Sequence, residues 1–338
     1  MSRGDYSEYW TNVGKRWDSA EKAAENERPK RAFIRKSVFS SFLTRVLGSQ
    51  MPIVITGERG AGKTELYRAL TGDLASRREG MSAGREDLRA ALHTGSQKIR
   101  STFVVVPGQD SDPHGGMLQE LFSSTRAPSG VIHVVSARYD RIWGAREVSV
   151  VEDALSNEQA MRKAEIENLS ATDGKLSSSF ADLDRLATLK ELQAKSLMWH
   201  LREHNKRQEL QRFRLLCRDC LRPAWGRPAA GRRPTWLIIA VTKFDLWHDD
   251  RESVKGYYVP GQQEDESAFC GELRDLVSDL GGAATLERLA VLPVASYPQP
   301  YALSTSFEKN ATLSESETDS LVNHFRNVVG EFCDTRKK

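Results

Sequence analysis

The residues best suited to chemistry form a glycine-rich run that begins at Gly57 and ends in Lys63 and Thr64. The order Gly-x4-Gly-Lys-Thr offers backbone N–H groups, an amine and a hydroxyl to the oxygens of a polyphosphate. We expect Lys63 to reach the β- and γ-phosphates and Thr64 to ligate Mg²⁺. The predicted nucleotide-binding residues of this loop are Gly57, Glu58, Arg59, Gly60, Ala61, Gly62, Lys63, Thr64 and Glu65.

A second set of polar residues, Thr242, Lys243 and Asp245, follows directly after an apolar run. Guanine presents two adjacent donors, N1–H and the 2-amino group, which one carboxylate can accept together, and adenine has no such pair. Asp245 is therefore predicted to select guanine, with the stem of Lys243 covering the base. Ala295 and Ser296, after the last apolar run, are predicted to offer a backbone N–H to the guanine oxygen.

Short apolar runs predict the strands that position these residues. Five apolar runs are typical of buried parallel strands, and a sixth, weaker run precedes a turn at 94–97. Helical patterns separate most of the runs, so the sequence predicts an α/β fold whose sheet is mainly parallel with one antiparallel hairpin. The runs are 53–56, 88–92, 102–106, 131–135, 236–241 and 289–294.

In chain order, these motifs resemble the Ras-like branch of the translation-factor-related P-loop GTPases. The resemblance rests on the motifs at 57–64, 103–109, 242–245 and 295–296, and it spans over half of the chain. Bacterial small Ras-like GTPases of the gliding-motility and polarity type are the nearest pattern, because they too have a strand that ends in an apolar-Pro-Gly-Gln sequence. The resemblance implies a Ras-like P-loop NTPase fold with a six-stranded, mainly parallel sheet flanked by helices. It also implies Mg²⁺-dependent hydrolysis of GTP to GDP in a regulatory switch, slow without a partner.

The same resemblance assigns roles to residues near the γ-phosphate. Gly108 would sense the γ-phosphate through its N–H, and Gln109 would orient the attacking water beside the catalytic Lys63. Ser82, in a polar loop suited to a first switch, would join Thr64 on Mg²⁺. Val105 departs from most of the family, which has an aspartate there that holds a Mg²⁺-bound water. The bacterial subgroup also lacks this aspartate. The departure predicts either weaker Mg²⁺ binding or a substitute carboxylate, for which Asp110 and Asp112 are candidates.

The chain divides into a core and two additions. The GTPase domain is predicted over 49–138 and 235–338, where the motifs lie. Residues 1–48 are predicted as an N-terminal helical extension, because Trp10, Val13 and Trp17 recur at helical spacing. About a hundred residues separate two strands where a crossover helix needs about a dozen, so 139–234 are predicted as an α-helical insertion.

Composition limits the class of protein and its surroundings. The 338 residues carry 49 basic and 46 acidic side chains, a balance that gives no general attraction to nucleic acid. Four cysteines are too few for a disulfide framework, and no targeting signal or spanning segment is visible, so a cytoplasmic location is expected. His200, His204, Cys217 and Cys220 have zinc-ligand types, but on one helix His204 and Cys217 would lie ~20 Å apart.

Several functional alternatives stay open at this point. The expected ligands are GTP and GDP, and a protein effector or activator is expected to contact the switch loops and the insertion. The basic segment 202–233 is a partner surface of unknown kind, for which nucleic acid or an anionic membrane surface are options. Besides a regulatory GTPase, the sequence allows a nucleotide-locked scaffold with negligible hydrolysis, or a signalling or defence ATPase. It leaves the oligomeric state open.

Overall fold

The computed structural model describes most of the chain. The described residues are 6–25, 52–72, 86–94, 97–106, 116–123, 128–173, 185, 188–190, 196–225, 236–262, 266–280, 288–296, 298, 300–304 and 307–333.

Five parallel strands form the central sheet, in the order β3-β1-β4-β5-β6. Every residue of β1, β4 and β5 is buried, because helices cover both faces of a parallel sheet. β2 pairs antiparallel with β3 at the edge of the sheet. The strands are β1 Ile53–Gly57, β2 Glu86–Thr94, β3 Gln97–Val105, β4 Gly130–Val135, β5 Trp236–Val241 and β6 Arg288–Pro293.

Helices alternate with these strands, and the predicted α/β class with a mainly parallel sheet is confirmed. A small hairpin, β7 Tyr301–Ser304 with β8 Phe307–Lys309, follows the last strand of the sheet. The helices are α1 Ser7–Glu25, α2 Lys63–Thr71, α3 Gly116–Ser123, α4 Ala145–Asp173, α5 Leu197–Leu216, α6 Arg251–Tyr258, α7 Ala268–Asp279 and α8 Glu315–Cys333. Short helical turns cover Phe244–Trp247 and His248–Asp250.

Helix α1 packs into the core of the sheet. It lies against β6 and α8, and Trp10, Val13 and Trp17 are buried in the same apolar cluster as the strands. The Trp17 ring is fully buried, with its centroid 5.9 Å from that of Trp247. The indole N–H of Trp247 donates to the carbonyl of Thr242 at 2.7 Å, so α1 supports the end of β5.

Helix α5 also lies directly on the sheet, within the segment predicted as an insertion. It continues through a π-helical turn, Cys217–Leu221, into a last turn, Arg222–Trp225. Its buried stripe recurs about every four residues, and the Phe213 ring stacks on that of Phe269 at 4.5 Å. Helix α4 is less buried than α5, and its apolar side chains Val150 and Met161 are exposed. No helix in the described part of the chain is long and apolar enough to cross a membrane.

Candidate functional site

The glycine-rich loop joins the end of β1 to the start of α2. This glycine-rich loop (57–64), called the P-loop below for its predicted role, wraps around the amine of Lys63, which donates to the carbonyls of Gly57 at 3.0 Å and Glu58 at 2.8 Å. Burial lowers the pKa of Lys63 to about 8, against the opposing effect of the Glu58 carboxylate. The first turn of α2 carries Thr64, which is half-buried, and Glu65, which is exposed.

The P-loop packs tightly against the β4 loop, residues 136–144. Gly60 has φ +78°, and a Cβ built there would lie 1.8 Å from the carbonyl oxygen of Asp140. Only glycine fits here for two reasons. Residues with a side chain rarely adopt this positive φ, and a Cβ would collide with the neighbouring carbonyl. The glycine at position 60 is therefore required by backbone packing.

The TKFD segment (242–245) reaches the P-loop from the end of β5. The hydroxyl of Thr242 lies 2.6 Å from the carbonyl oxygen of Ala61, and the amine of Lys243 donates to the carbonyl of Gly60 at 2.8 Å. The Lys243 amine also donates to the carbonyl of Tyr139 and stands 3.8 Å from the ring centroid of Tyr301. Burial lowers the pKa of Lys243 to about 8. The two predicted motifs are thus in direct contact.

Asp245 is buried in the turn that follows Lys243. Its carbonyl accepts hydrogen bonds from the N–H of Thr312 at 2.9 Å and from the Thr312 hydroxyl at 2.7 Å. The N–H of Phe244 donates to the carbonyl of Val294 at 3.2 Å, which ties this turn to the end of β6. The predicted residues Ala295, buried, and Ser296, half-buried, come next in the chain. The structure therefore brings three predicted motifs to one edge of the sheet.

Several of the residues predicted to contact the metal or the γ-phosphate are not among the described residues. Gly108, Gln109 and Ser82 lie outside the described residues. Val105 is buried in β3 and pairs with Ile55 of β1. The part of the chain that the structure describes holds no cluster of three or more His, Cys, Asp or Glu side chains suited to a metal. The Thr64 hydroxyl fits Mg²⁺ nevertheless, since that ion is commonly held by phosphate oxygens, waters and few protein ligands.

Sequence reasoning missed Asp140, a carboxyl group buried beside the P-loop. Neither of its oxygens makes a well-formed hydrogen bond within the described residues. Burial raises the pKa of Asp140 well above its usual range, and the carboxylates of Glu209 and Glu58 raise it further, whereas Lys243 lowers it. A single aspartate in a polar stretch has no spacing signal that could have revealed it.

Sequence reasoning also missed Glu209, which docks α5 on the β4 loop. One carboxylate oxygen lies 2.7 Å from the N–H of Ser136 and 3.4 Å from that of Arg138, and the other accepts from the Tyr258 hydroxyl at 2.6 Å. Burial raises the pKa of Glu209, and these hydrogen bonds oppose the rise. The side chain of Asn205 donates to the carbonyl of Arg138 at 3.0 Å. The sequence held one indication of this contact: Asn205 and Glu209 are polar residues on an otherwise apolar face of the helix.

Arginines of the basic segment 202–233 pair with acids of the same chain. Each partner oxygen lies within 3.5 Å. The pairs are Arg212 with Glu58, Arg214 with Glu272, Arg218 with Asp219, and Arg222 with both Glu272 and Asp279. Four of the arginines that suggested a partner surface are therefore paired within the chain.

The geometry defines a parallel α/β protein with a glycine-rich loop and a polar segment joined at the carboxyl edge of the sheet. No known protein family matches the chain, and no curated protein sequence matches it.

Proposed function

We propose that this chain binds GTP and hydrolyses it to GDP with Mg²⁺, as a regulatory switch on a six-stranded Ras-like fold. One observation supports this most: Lys243 and Thr242 contact the P-loop carbonyls of Gly60 and Ala61 directly. A segment that carries a guanine-reading carboxylate is thereby fixed to a loop suited to phosphates. Such an arrangement would hold a bound base and a bound polyphosphate at a set distance from each other.

Lys63 has the central role in the proposed chemistry. Its amine would exchange the carbonyls of Gly57 and Glu58 for phosphate oxygens, which are stronger acceptors because they are charged. Water attacks the γ-phosphorus, the bond to the β–γ bridging oxygen breaks, and GDP leaves with that electron pair while the proton of water passes to the phosphate product. Mg²⁺, when bound at Thr64, neutralises charge on the phosphates. Gln109 would orient the water, Gly108 would sense the γ-phosphate, and Ser82 would complete the metal ligands.

The base is read by Asp245 in this proposal. A buried carboxylate accepts N1–H and the 2-amino group of guanine together, and losing two buried hydrogen bonds to a charged acceptor is costly. In this proposal a protein effector or activator would contact the switch loops and the helical segment 139–234.

A nucleotide-locked scaffold is the second candidate, and Val105 favours it. An apolar side chain in that place supplies no oxygen to a Mg²⁺-bound water, which would slow hydrolysis. Multiple-turnover assays on the wild type and on Gln109→Leu separate the two candidates. A wild-type rate no higher than that of Lys63→Ala would support the scaffold.

The proposal is tested by the nucleotide that copurifies with the protein. Denaturation followed by chromatography should release GDP or GTP from the wild type and none from Lys63→Ala, because that variant lacks the phosphate-binding amine. Release of ADP or ATP instead would contradict guanine binding and favour a signalling or defence ATPase.

A further inference from the structure

A salt bridge connects the helix α5 to the P-loop. The Nε of Arg212 donates to one carboxylate oxygen of Glu58 at 3.2 Å, across 154 residues of sequence. The other oxygen of Glu58 accepts the N–H of Arg59 at 3.0 Å, and the Glu58 carbonyl accepts the amine of Lys63. Arg212 and Lys63 thus contact the same residue, Glu58, the first at its carboxylate and the second at its carbonyl.

The charge of Arg212 is felt at Lys63. The guanidinium helps to lower the pKa of the Lys63 amine, so the two cations lie within electrostatic reach of each other. The Arg212 side chain is 21% exposed, and only its Nε makes a hydrogen bond among the described residues. Its two Nη groups therefore remain as donors beside the P-loop.

Helix α5 presents Arg212 from a fixed position. Asn205 lies two turns before Arg212 and Glu209 one turn before it; they bond the β4 loop through the carbonyl of Arg138 and the N–H of Ser136, respectively. The same face of the helix buries Phe213 against the sheet. A side chain on such a support loses little freedom when it changes partner, which favours a specific contact.

We propose that Arg212 binds the γ-phosphate of the nucleotide and that Glu58 holds it when no γ-phosphate is present. This inference rests on the proposed function. The planar guanidinium matches a phosphate in its geometry, and a triphosphate in the loop competes with the single charge of Glu58. Helix α5 then senses the nucleotide state, because Arg212 exchanges the carboxylate of Glu58 for the γ-phosphate.

The test is the ratio of affinities for GTPγS and GDP, measured by isothermal titration calorimetry on the full chain. Arg212→Ala should lower this ratio by about tenfold or more, since a charged hydrogen bond to the γ-phosphate is lost. Glu58→Gln should raise the ratio, because it frees Arg212 and removes a negative charge. Arg214→Ala, on the same helix and 55% exposed beside Glu272, should leave the ratio unchanged.

A merely structural salt bridge predicts a different pattern. Arg212→Ala and Glu58→Gln would then change the affinities for both nucleotides in one direction and by equal factors, which overturns the inference alone. A wild type that binds neither nucleotide overturns the proposed function and the inference with it. Arg212→Gln repeats the test if Arg212→Ala does not fold.

Discussion

Among single side chains, Asp140 is a buried titratable group beside the P-loop. It lies between the P-loop and α5, faced by the carboxylates of Glu58 and Glu209 and by the amine of Lys243. Its own carbonyl packs on Gly60 and accepts the Tyr301 hydroxyl at 3.3 Å. A raised pKa means that the folded protein retains a proton on Asp140 that the unfolded chain loses near pH 4.

We predict that Asp140→Asn gains stability relative to the wild type as pH rises from 5 to 8. In the wild type the unfolded chain is already deprotonated there, so stability falls with pH until the folded carboxyl also ionises. Asparagine cannot ionise and removes this dependence. Urea unfolding at both pH values measures the difference, and the exposed Asp275→Asn should show none. A loss of stability that grows with pH would mean that Asp140 acts as an ion-pair partner of Lys243.

The approach of Gly60 to the β4 loop gives a second prediction. Gly60→Ala should reduce the free energy of unfolding by about 1–3 kcal/mol more than Gly72→Ala. Both glycines have positive φ, +78° and +74°, but nothing lies within 4 Å of a Cβ at Gly72. Chemical denaturation compares the two variants, and equal losses would show that the backbone conformation alone requires glycine.

Among the described helices and strands, α5 has the most buried polar side chains, Asn205 and Glu209. Glu209 accepts hydrogen bonds from the β4 loop and from α6 at once, so it joins three parts of the fold. A buried acceptor of this kind is costly when a donor is removed.

We predict that Tyr258→Phe lowers the free energy of unfolding by about 1–2 kcal/mol, because one hydrogen bond to a buried carboxylate is lost. Tyr257→Phe is the matched control, since its hydroxyl makes no hydrogen bond within the described residues. The control should change stability by less than about 0.5 kcal/mol. Equal effects in urea denaturation would show that the Glu209 contact contributes nothing.

The sequence predicted the elements that depend on local patterns. β1, the P-loop and α2 follow one another within about twenty residues, and the glycines, lysine and apolar run each have their own signal. Glu209 and the Arg212–Glu58 pair could not be predicted, because their partners lie far away in the sequence. The predicted role of Lys243 covered its stem alone, whereas the structure adds the bonds of its amine to the carbonyls of Gly60 and Tyr139.

Across the whole molecule, the N-terminal helix is part of the packed core. The Trp17 ring packs on the Trp247 ring, and the indole N–H of Trp247 donates to the carbonyl of Thr242. Helix α1 therefore supports the TKFD segment through these two rings. Stability and the shape of the site are coupled through these two rings.

We predict that Trp17→Ala lowers the free energy of unfolding by about 3–5 kcal/mol, the cost of a large cavity in a core. Lys15→Ala, exposed on the same helix, should change it by less than about 0.5 kcal/mol. Thermal or urea unfolding of the full chain measures both. A small effect of Trp17→Ala would mean that α1 is an appendage of the fold.

The most direct test of guanine binding exchanges the base and Asp245 together. Asparagine can accept from N1–H and donate to the 2-oxygen of xanthine, whereas a carboxylate suits guanine. The wild type should bind GDP more tightly than xanthosine diphosphate, and Asp245→Asn should lower GDP affinity by about 100-fold and reverse the preference. Calorimetry with both nucleotides and ADP measures this. Two results would contradict the assignment of Asp245. One is that Asp245→Asn loses affinity for GDP and for xanthosine diphosphate by equal factors, and the other is that the wild type binds ADP as tightly as GDP.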